Sequence, residues 1–167
     1  MNRFYSGGIQ MAEHIATILW ERGDQHFLDN RYSRKHTIRF DGGLEIPASS
    51  APSNVPLPYS DESAADPEEL LVAALSNCHM LWCLSIAAKR GFCVDSYTDN
   101  AVGTMAKNEY GKLFLAQVTL NPITTFSGEK IPTMEELEQL HHKAHEECFI
   151  ANSVLTEIIC KPVLNNR

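Results

Sequence analysis

The sequence has no Cys-x-x-Cys pair, no glycine-rich phosphate loop and no serine flanked by glycines in the elbow pattern. These gaps remove the dithiol redox motif, P-loop nucleotide chemistry and the hydrolase nucleophile from the candidates. No apolar run approaches the ~20 residues of a spanning helix. The stretch Met1 to Gln10 lacks the apolar core of an export signal. A cytoplasmic protein with no membrane partner is therefore expected. Basic residues are also scarce, 14 Lys and Arg against 21 Asp and Glu, and the resulting net charge of −7 argues against a nucleic-acid partner.

What is present fits one globular domain over the 167 residues, long enough to bury a core without disulfide staples. The five cysteines, Cys78, Cys83, Cys93, Cys148 and Cys160, are odd in number and irregularly spaced. In a reducing compartment such residues stay reduced, and a disulfide among them is more often transient chemistry than scaffold.

Alternation of apolar and polar residues predicts N-terminal strands over about 14–46, in His14 to Trp20, Tyr32 to Phe40 and Leu44 to Ile46. The proline- and serine-rich segment 47–60 predicts an irregular surface loop. Asp66-Pro67-Glu68-Glu69 then combines a capping residue, a proline suited to the first helical position and negative charge at the positive end of the helix dipole. A helix over about 66–90 follows, apolar around much of its circumference and so expected to be central and buried, with Gly91 as its stop. Val94 to Met105 and Lys112 to Leu120 read as strands, Pro122 to Pro132 as a loop. A second helix runs from a capping box at Thr133-Met134-Glu135-Glu136 to Glu147, and Ser153 to Val163 is β-rich. This order predicts an α+β fold, with a C-terminal strand-helix-strand part over about 94–163.

Cys78, inside an apolar helix, reads on its own as a small buried hydrophobe, and Cys148 carries the same ambiguity. Reactivity would need a cation or converging donors to lower the thiol pKa, and spacing alone does not select among Arg31, Arg34, Arg39 and His79. His141, His145 and Cys148 share a helix face, a pattern that transition metals accept. A single helix rarely completes a tetrahedral site, so the preferred reading is a solvated face, with no metal and no cofactor.

Asp66-Pro67-Glu68-Glu69-Leu70-Leu71-Val72-Ala73-Ala74 running into Ser76-Asn77-Cys78-His79, followed by Ala144-His145-Glu146-Glu147-Cys148 and Asn152-Ser153, resembles the OsmC/Ohr family of osmotically inducible and organic hydroperoxide resistance proteins. The resemblance spans roughly His14 to Val163. It implies an intertwined homodimer with antiparallel sheets wrapped around central helices. It also implies a thiol-dependent peroxidase with Cys78 as the peroxidatic residue, Cys148 as the resolving residue and Glu68 orienting an activating arginine. Arg34 is the choice for that arginine, with Arg31 as the alternative. The implied partners are an organic hydroperoxide substrate and an external dithiol reductant, and Leu75, Leu81, Trp82 and Phe149 are the expected apolar substrate wall. Phe149 stands where many hydroperoxide reductases have proline, and His79 where a bulky apolar residue is common. A rival reading on the same scaffold is a non-catalytic protein that holds an apolar ligand in the interface cleft.

Overall fold

A computed structural model describes residues 12–165. Residues 1–11 and 166–167 lie outside them. The chain packs as two compact units, one ending at Pro67 and the other starting at Glu68.

The first unit is built on an antiparallel sheet of β1 (Ala16–Leu19), β2 (His36–Phe40) and β3 (Glu45–Ala48), with β2 in the middle. Ile18 faces Ile38 across one pair and Ile46 faces Ile38 across the other, so the apolar alternation sets the register. The proline-rich segment is irregular, yet it is not a free surface loop. Ala48, Ser49 and Ser60 are buried. The backbone N–H of Ser49 donates to Ala65, that of Ala65 to Pro47 and that of Arg34 to Tyr59. These bonds satisfy backbone groups that burial would otherwise strand.

The second unit carries helix α1 (Pro67–Lys89), strands β4 (Cys93–Asp99), β5 (Val102–Lys107), β6 (Leu113–Leu120) and β7 (Pro122–Ser127), helix α2 (Met134–Glu147), a 3-10 turn at Ala151–Ser153, and strands β8 (Glu157–Cys160) and β9 (Val163–Asn165). Two three-stranded sheets result, in the orders β4-β7-β9 and β5-β6-β8, each combining an antiparallel pair with a parallel partner. The stretch Val94 to Met105, read from sequence as one strand, breaks at Asn100-Ala101 and feeds both sheets. Opposite that break, the Asn121 N–H donates to the Asp99 carboxylate at 2.6 Å and its side-chain amide donates to the Asn100 carbonyl at 3.0 Å. The two corners lock each other.

Residues 122–127, expected as a loop, instead form β7. Pro122 occupies the first position of the strand, where no ladder N–H is required, and Thr124, Thr125 and Phe126 are buried. Helix α1 ends as the sequence implied, with Gly91 at φ 79° and the Phe92 N–H returning to the Ala87 carbonyl. Helix α2 has the complete capping box: Thr133 accepts from the Glu136 N–H and Glu136 accepts from the Thr133 N–H.

Two apolar clusters hold this unit together. One joins Cys83 and Ala87 of α1, Leu137, Leu140 and Ala144 of α2, and Phe92 with Phe126 of β7. The other joins Leu75 of α1 to Leu115, Val118 and Leu120 of β6. Each fully buried leucine contributes roughly 1.5–3 kcal/mol. Helix α1 is less buried than its composition suggested: only the stripe Leu75, His79, Cys83 and Ala87 is inaccessible. Its most apolar window has a mean hydropathy of 1.7, enough by length and composition to cross a membrane. Ser76, Asn77, His79 and Ser85 interrupt the run, and the buried stripe engages both clusters, as in the core helix of a folded domain.

Candidate active site

Cys78 sits in the middle of α1, and Cys148 forms the C-terminal cap of α2. The fold brings the two together: the Cys148 thiol donates to the sulfur of Cys78. Cys78 is partly accessible and Cys148 is 1% exposed. Burial first, and then donation to Cys78, push the Cys148 thiol up to about 11, against the opposing N–H donors of Ala151 and Ile150. Cys148 is thus a protonated thiol at neutral pH.

The turn after Cys148 explains why Asn152-Ser153 accompanies it. A helix end leaves carbonyls without partners. The Asn152 amide donates to the carbonyls of Glu146 and Cys148 at 2.9 and 3.0 Å, and the Ser153 hydroxyl donates to the Phe149 carbonyl at 2.7 Å. The Ala151 N–H reaches the Cys148 sulfur at 3.4 Å. These contacts hold the sulfur against α1.

Of the expected apolar wall, Trp82 and Phe149 meet edge to face with ring centroids 5.6 Å apart, beside the two thiols in sequence. Phe149 and Leu81 are exposed, whereas Leu75 is sealed in the core. Leu75 therefore cannot line an open site in this chain without a rearrangement of its cluster, which corrects its expected place in the wall.

Arg34 belongs to the first unit. Its guanidinium donates to the Asn30 carbonyl at 3.0 Å, to the Asn30 side-chain oxygen at 2.7 Å and to the Tyr32 carbonyl, and it lies 3.9 Å over the Tyr32 ring. Arg31 is exposed, and its backbone N–H donates to Asp29. Glu68 stands in the first turn of α1. Ten residues of continuous helix separate it from Cys78, about 15 Å along the axis.

Two features escaped the sequence reading. Within the first unit, Phe27 stacks on Tyr32 and Trp20 meets both at an angle, with ring centroids 4.6–5.8 Å apart, and the three line an apolar groove of about 400 Å³ together with Ile18, Arg34 and His36. Aromatic residues flanking the turn at Gly23 were the available signal. The second feature corrects the solvated-face reading of His141, which is 1% exposed and points inward. Its Nδ1 lies 2.9 Å from Nε2 of His79, which is itself 3.7 Å from Sγ of Cys160, while Nε2 of His141 lies 3.9 Å from Sγ of Cys83. Burial pushes both imidazoles down, His79 to about 4 and His141 to about 3, so both are neutral at pH 7. The i, i+4 spacing of His79 and Cys83 marked this face.

A search of curated proteins found no match. Among solved structures, an OsmC-like protein of unknown function from Vibrio cholerae is 55% identical, with a TM-score of 0.89 over 92% of this chain and 100% of that one. An organic hydroperoxide resistance protein from Elizabethkingia anophelis shares 19% identity at a TM-score of 0.66, covering 96% of this chain and 100% of that one. The organic hydroperoxide resistance protein OhrB of Bacillus subtilis shares 16% at 0.58, covering 92% and 98%. At those identities the last two establish the fold alone. The family model for OsmC-like proteins matches residues 60–161, a stretch that contains both helices and both paired thiols. With that match and the Vibrio relative spanning both units, the chain belongs to the OsmC-like protein family.

Proposed function

We propose that the protein is a thiol-dependent peroxidase that reduces organic hydroperoxides, with Cys78 as the attacking residue and Cys148 as the resolving one. The observation that carries this reading is the contact between their thiols, made by residues far apart in the chain and held by the turn through Ala151 and Asn152. The Cys78 thiolate attacks the distal peroxide oxygen. The O–O bond breaks, the alkoxide takes a proton and leaves as alcohol, and Cys78 becomes a sulfenic acid. Cys148 then displaces that hydroxyl as water, and an external dithiol reduces the resulting disulfide. Trp82 and Phe149 supply apolar surface for an alkyl group next to this chemistry.

In this proposal Arg34 stabilises the Cys78 thiolate and Glu68 orients Arg34, roles taken from the family resemblance. The working form is a homodimer in the cytoplasm. The E. anophelis and B. subtilis proteins, named for organic hydroperoxide resistance, share this fold, and the substrate class proposed here is taken from the family resemblance.

The test is stoichiometric oxidation with cumene hydroperoxide and, separately, hydrogen peroxide, followed by mass mapping. A Cys78–Cys148 disulfide that forms faster with the organic peroxide is the expected product. Cys78→Ser abolishes turnover; Cys148→Ser performs one oxidation and accumulates a sulfenic acid that dimedone traps. The apolar groove of the first unit favours a second reading, a binding protein for an apolar ligand. Under that reading Cys78→Ser leaves function intact, so one variant separates the two.

A further inference from the structure

The core of the second unit holds another set of heteroatoms that the peroxidase reading does not use. His79 comes from α1, His141 from α2 and Cys160 from the end of β8, and the ligand atoms they offer lie within 4.8 Å of one another. The imidazole centroids are 5.2 Å apart with planes inclined by 10°, while the facing nitrogens are 2.9 Å apart. The rings therefore meet end to end, nitrogen toward nitrogen, rather than face over face. Both are 1% exposed. Burying such groups is costly unless every polar atom is satisfied, and Nδ1 of His79 has no hydrogen-bond partner. That nitrogen is not the one facing the cluster, since the approaches to His141 and Cys160 are made by Nε2; an ion held at Nε2 would fix the ring proton on Nδ1.

We propose that His79, His141 and Cys160 form a binding site for a closed-shell, thiophilic transition-metal ion, with Zn²⁺ as its representative. Two imidazoles and one thiolate without a carboxylate suit zinc or cuprous copper and disfavour magnesium and calcium, which take oxygen ligands. Tetrahedral zinc, with bonds of about 2.0–2.1 Å to nitrogen and 2.3 Å to sulfur, sets its ligand atoms about 3.3–3.6 Å apart. Cys160 lies 3.7 Å from His79, just beyond that range; the imidazole pair, 2.9 Å apart and pointing nitrogen to nitrogen, has to open by a few tenths of an ångström and both rings have to turn so that their lone pairs converge on one ion.

A route to the ligands exists. A cavity of about 210 Å³ is lined by His141 and Cys160 themselves, with His142, His145 and Glu138 around it. It leaves the fourth coordination position to water or an outside ligand. On the far side, Nε2 of His141 faces the Cys83 thiol, an outer partner that fixes which ring nitrogen is protonated. Binding transfers the Cys160 thiol proton to solvent and forms the metal–sulfur bond, with no change of oxidation state. Cys78 and Cys148 take no part, so this site stands or falls apart from the peroxidase reading.

Co²⁺ added to the reduced, untagged full-length protein is the probe. One equivalent per chain is expected, giving tetrahedral d–d absorption and a thiolate-to-cobalt charge-transfer band that Zn²⁺ removes. Cys160→Ser eliminates the charge-transfer band. His141→Leu weakens binding by more than about 100-fold, beyond the range that outer partners alone command. Cys93→Ser changes neither. A wild-type protein without the band, or a band lost in Cys148→Ser and kept in Cys160→Ser, overturns the proposal. If the core variants do not fold, the wild type decides. Zn²⁺ then slows alkylation of Cys160 about tenfold or more while leaving exposed Cys93 unaffected, and equal rates at Cys160 with and without Zn²⁺ reject the site.

Discussion

Cys148 shows how a single side chain can be tuned for the second half of a redox cycle. It is sealed from solvent, its thiol is the donor toward Cys78, and burial as the largest cause holds it up at about 11. If that burial persists once Cys78 is oxidised, the resolving thiol still carries its proton when it must attack. Because a thiolate is the nucleophile, disulfide formation accelerates as pH rises toward 11, by up to about tenfold per pH unit. Stopped-flow oxidation from pH 6 to 9, with the sulfenic acid and disulfide resolved separately, measures this slope. A resolution rate that is flat with pH would mean that the proton leaves by another route. The identities of Cys78 and Cys148 were legible in the sequence only through the family motif, since each alone is indistinguishable from a buried apolar residue. Their adjacency too was implied only by the resemblance; the local sequence does not show it, because it depends on where α2 ends and on the Asn152 amide that closes it.

Elements with local signals were readable. The start of α1 carries Pro67, Glu68 and Glu69, and α2 carries its capping box, so both helices lie within a residue or two of their expected bounds. Strand β7 was not readable, because a proline at its head and two threonines in its middle look like loop until Thr124 and Thr125 are seen to be buried. Gly103 in β5 is a related case, a residue whose reason appears only in three dimensions. A Cβ there would stand 2.6 Å from Cγ2 of Val72 on α1 and 2.8 Å from Cδ1 of Leu115 on β6. Gly103→Ala gains backbone rigidity worth roughly 0.5–1 kcal/mol, but it forces two packed side chains off their positions at a cost of about 1–3 kcal/mol. The packing term is the larger, so a net loss is expected, read as a lower urea midpoint with an unchanged slope. Gly42→Ala, at a turn with open space around it and no positive φ, serves as the control and stays within about 0.5 kcal/mol.

At the scale of the whole molecule, α1 poses a problem that one chain does not solve. Its buried stripe is narrow, while Leu70, Leu71, Met80, Trp82, Leu84 and Ile86 remain half-buried and Leu81 is 57% exposed. A helix with this mean hydropathy gains by covering that surface, at roughly 25 cal/mol for each square ångström removed from water. The helix also runs without interruption from Pro67 to Lys89, which keeps Glu68 and Cys78 about 15 Å apart in one chain. If Glu68 serves a Cys78 site at all, that site is in a second copy. A homodimer with mixed sites answers both points. Sedimentation equilibrium should accordingly give about twice the 18.7 kDa of one chain. Leu81→Glu, which places a charge on the exposed flank of α1, should yield folded monomers that have lost hydroperoxide turnover. Mixing Glu68→Gln protein with Cys78→Ser protein discriminates further: if each site draws on both chains, the mixed dimer holds one intact site and recovers activity that neither parent has. A monomer with full activity would remove the dimer from the mechanism, and with it any role for Glu68 at Cys78.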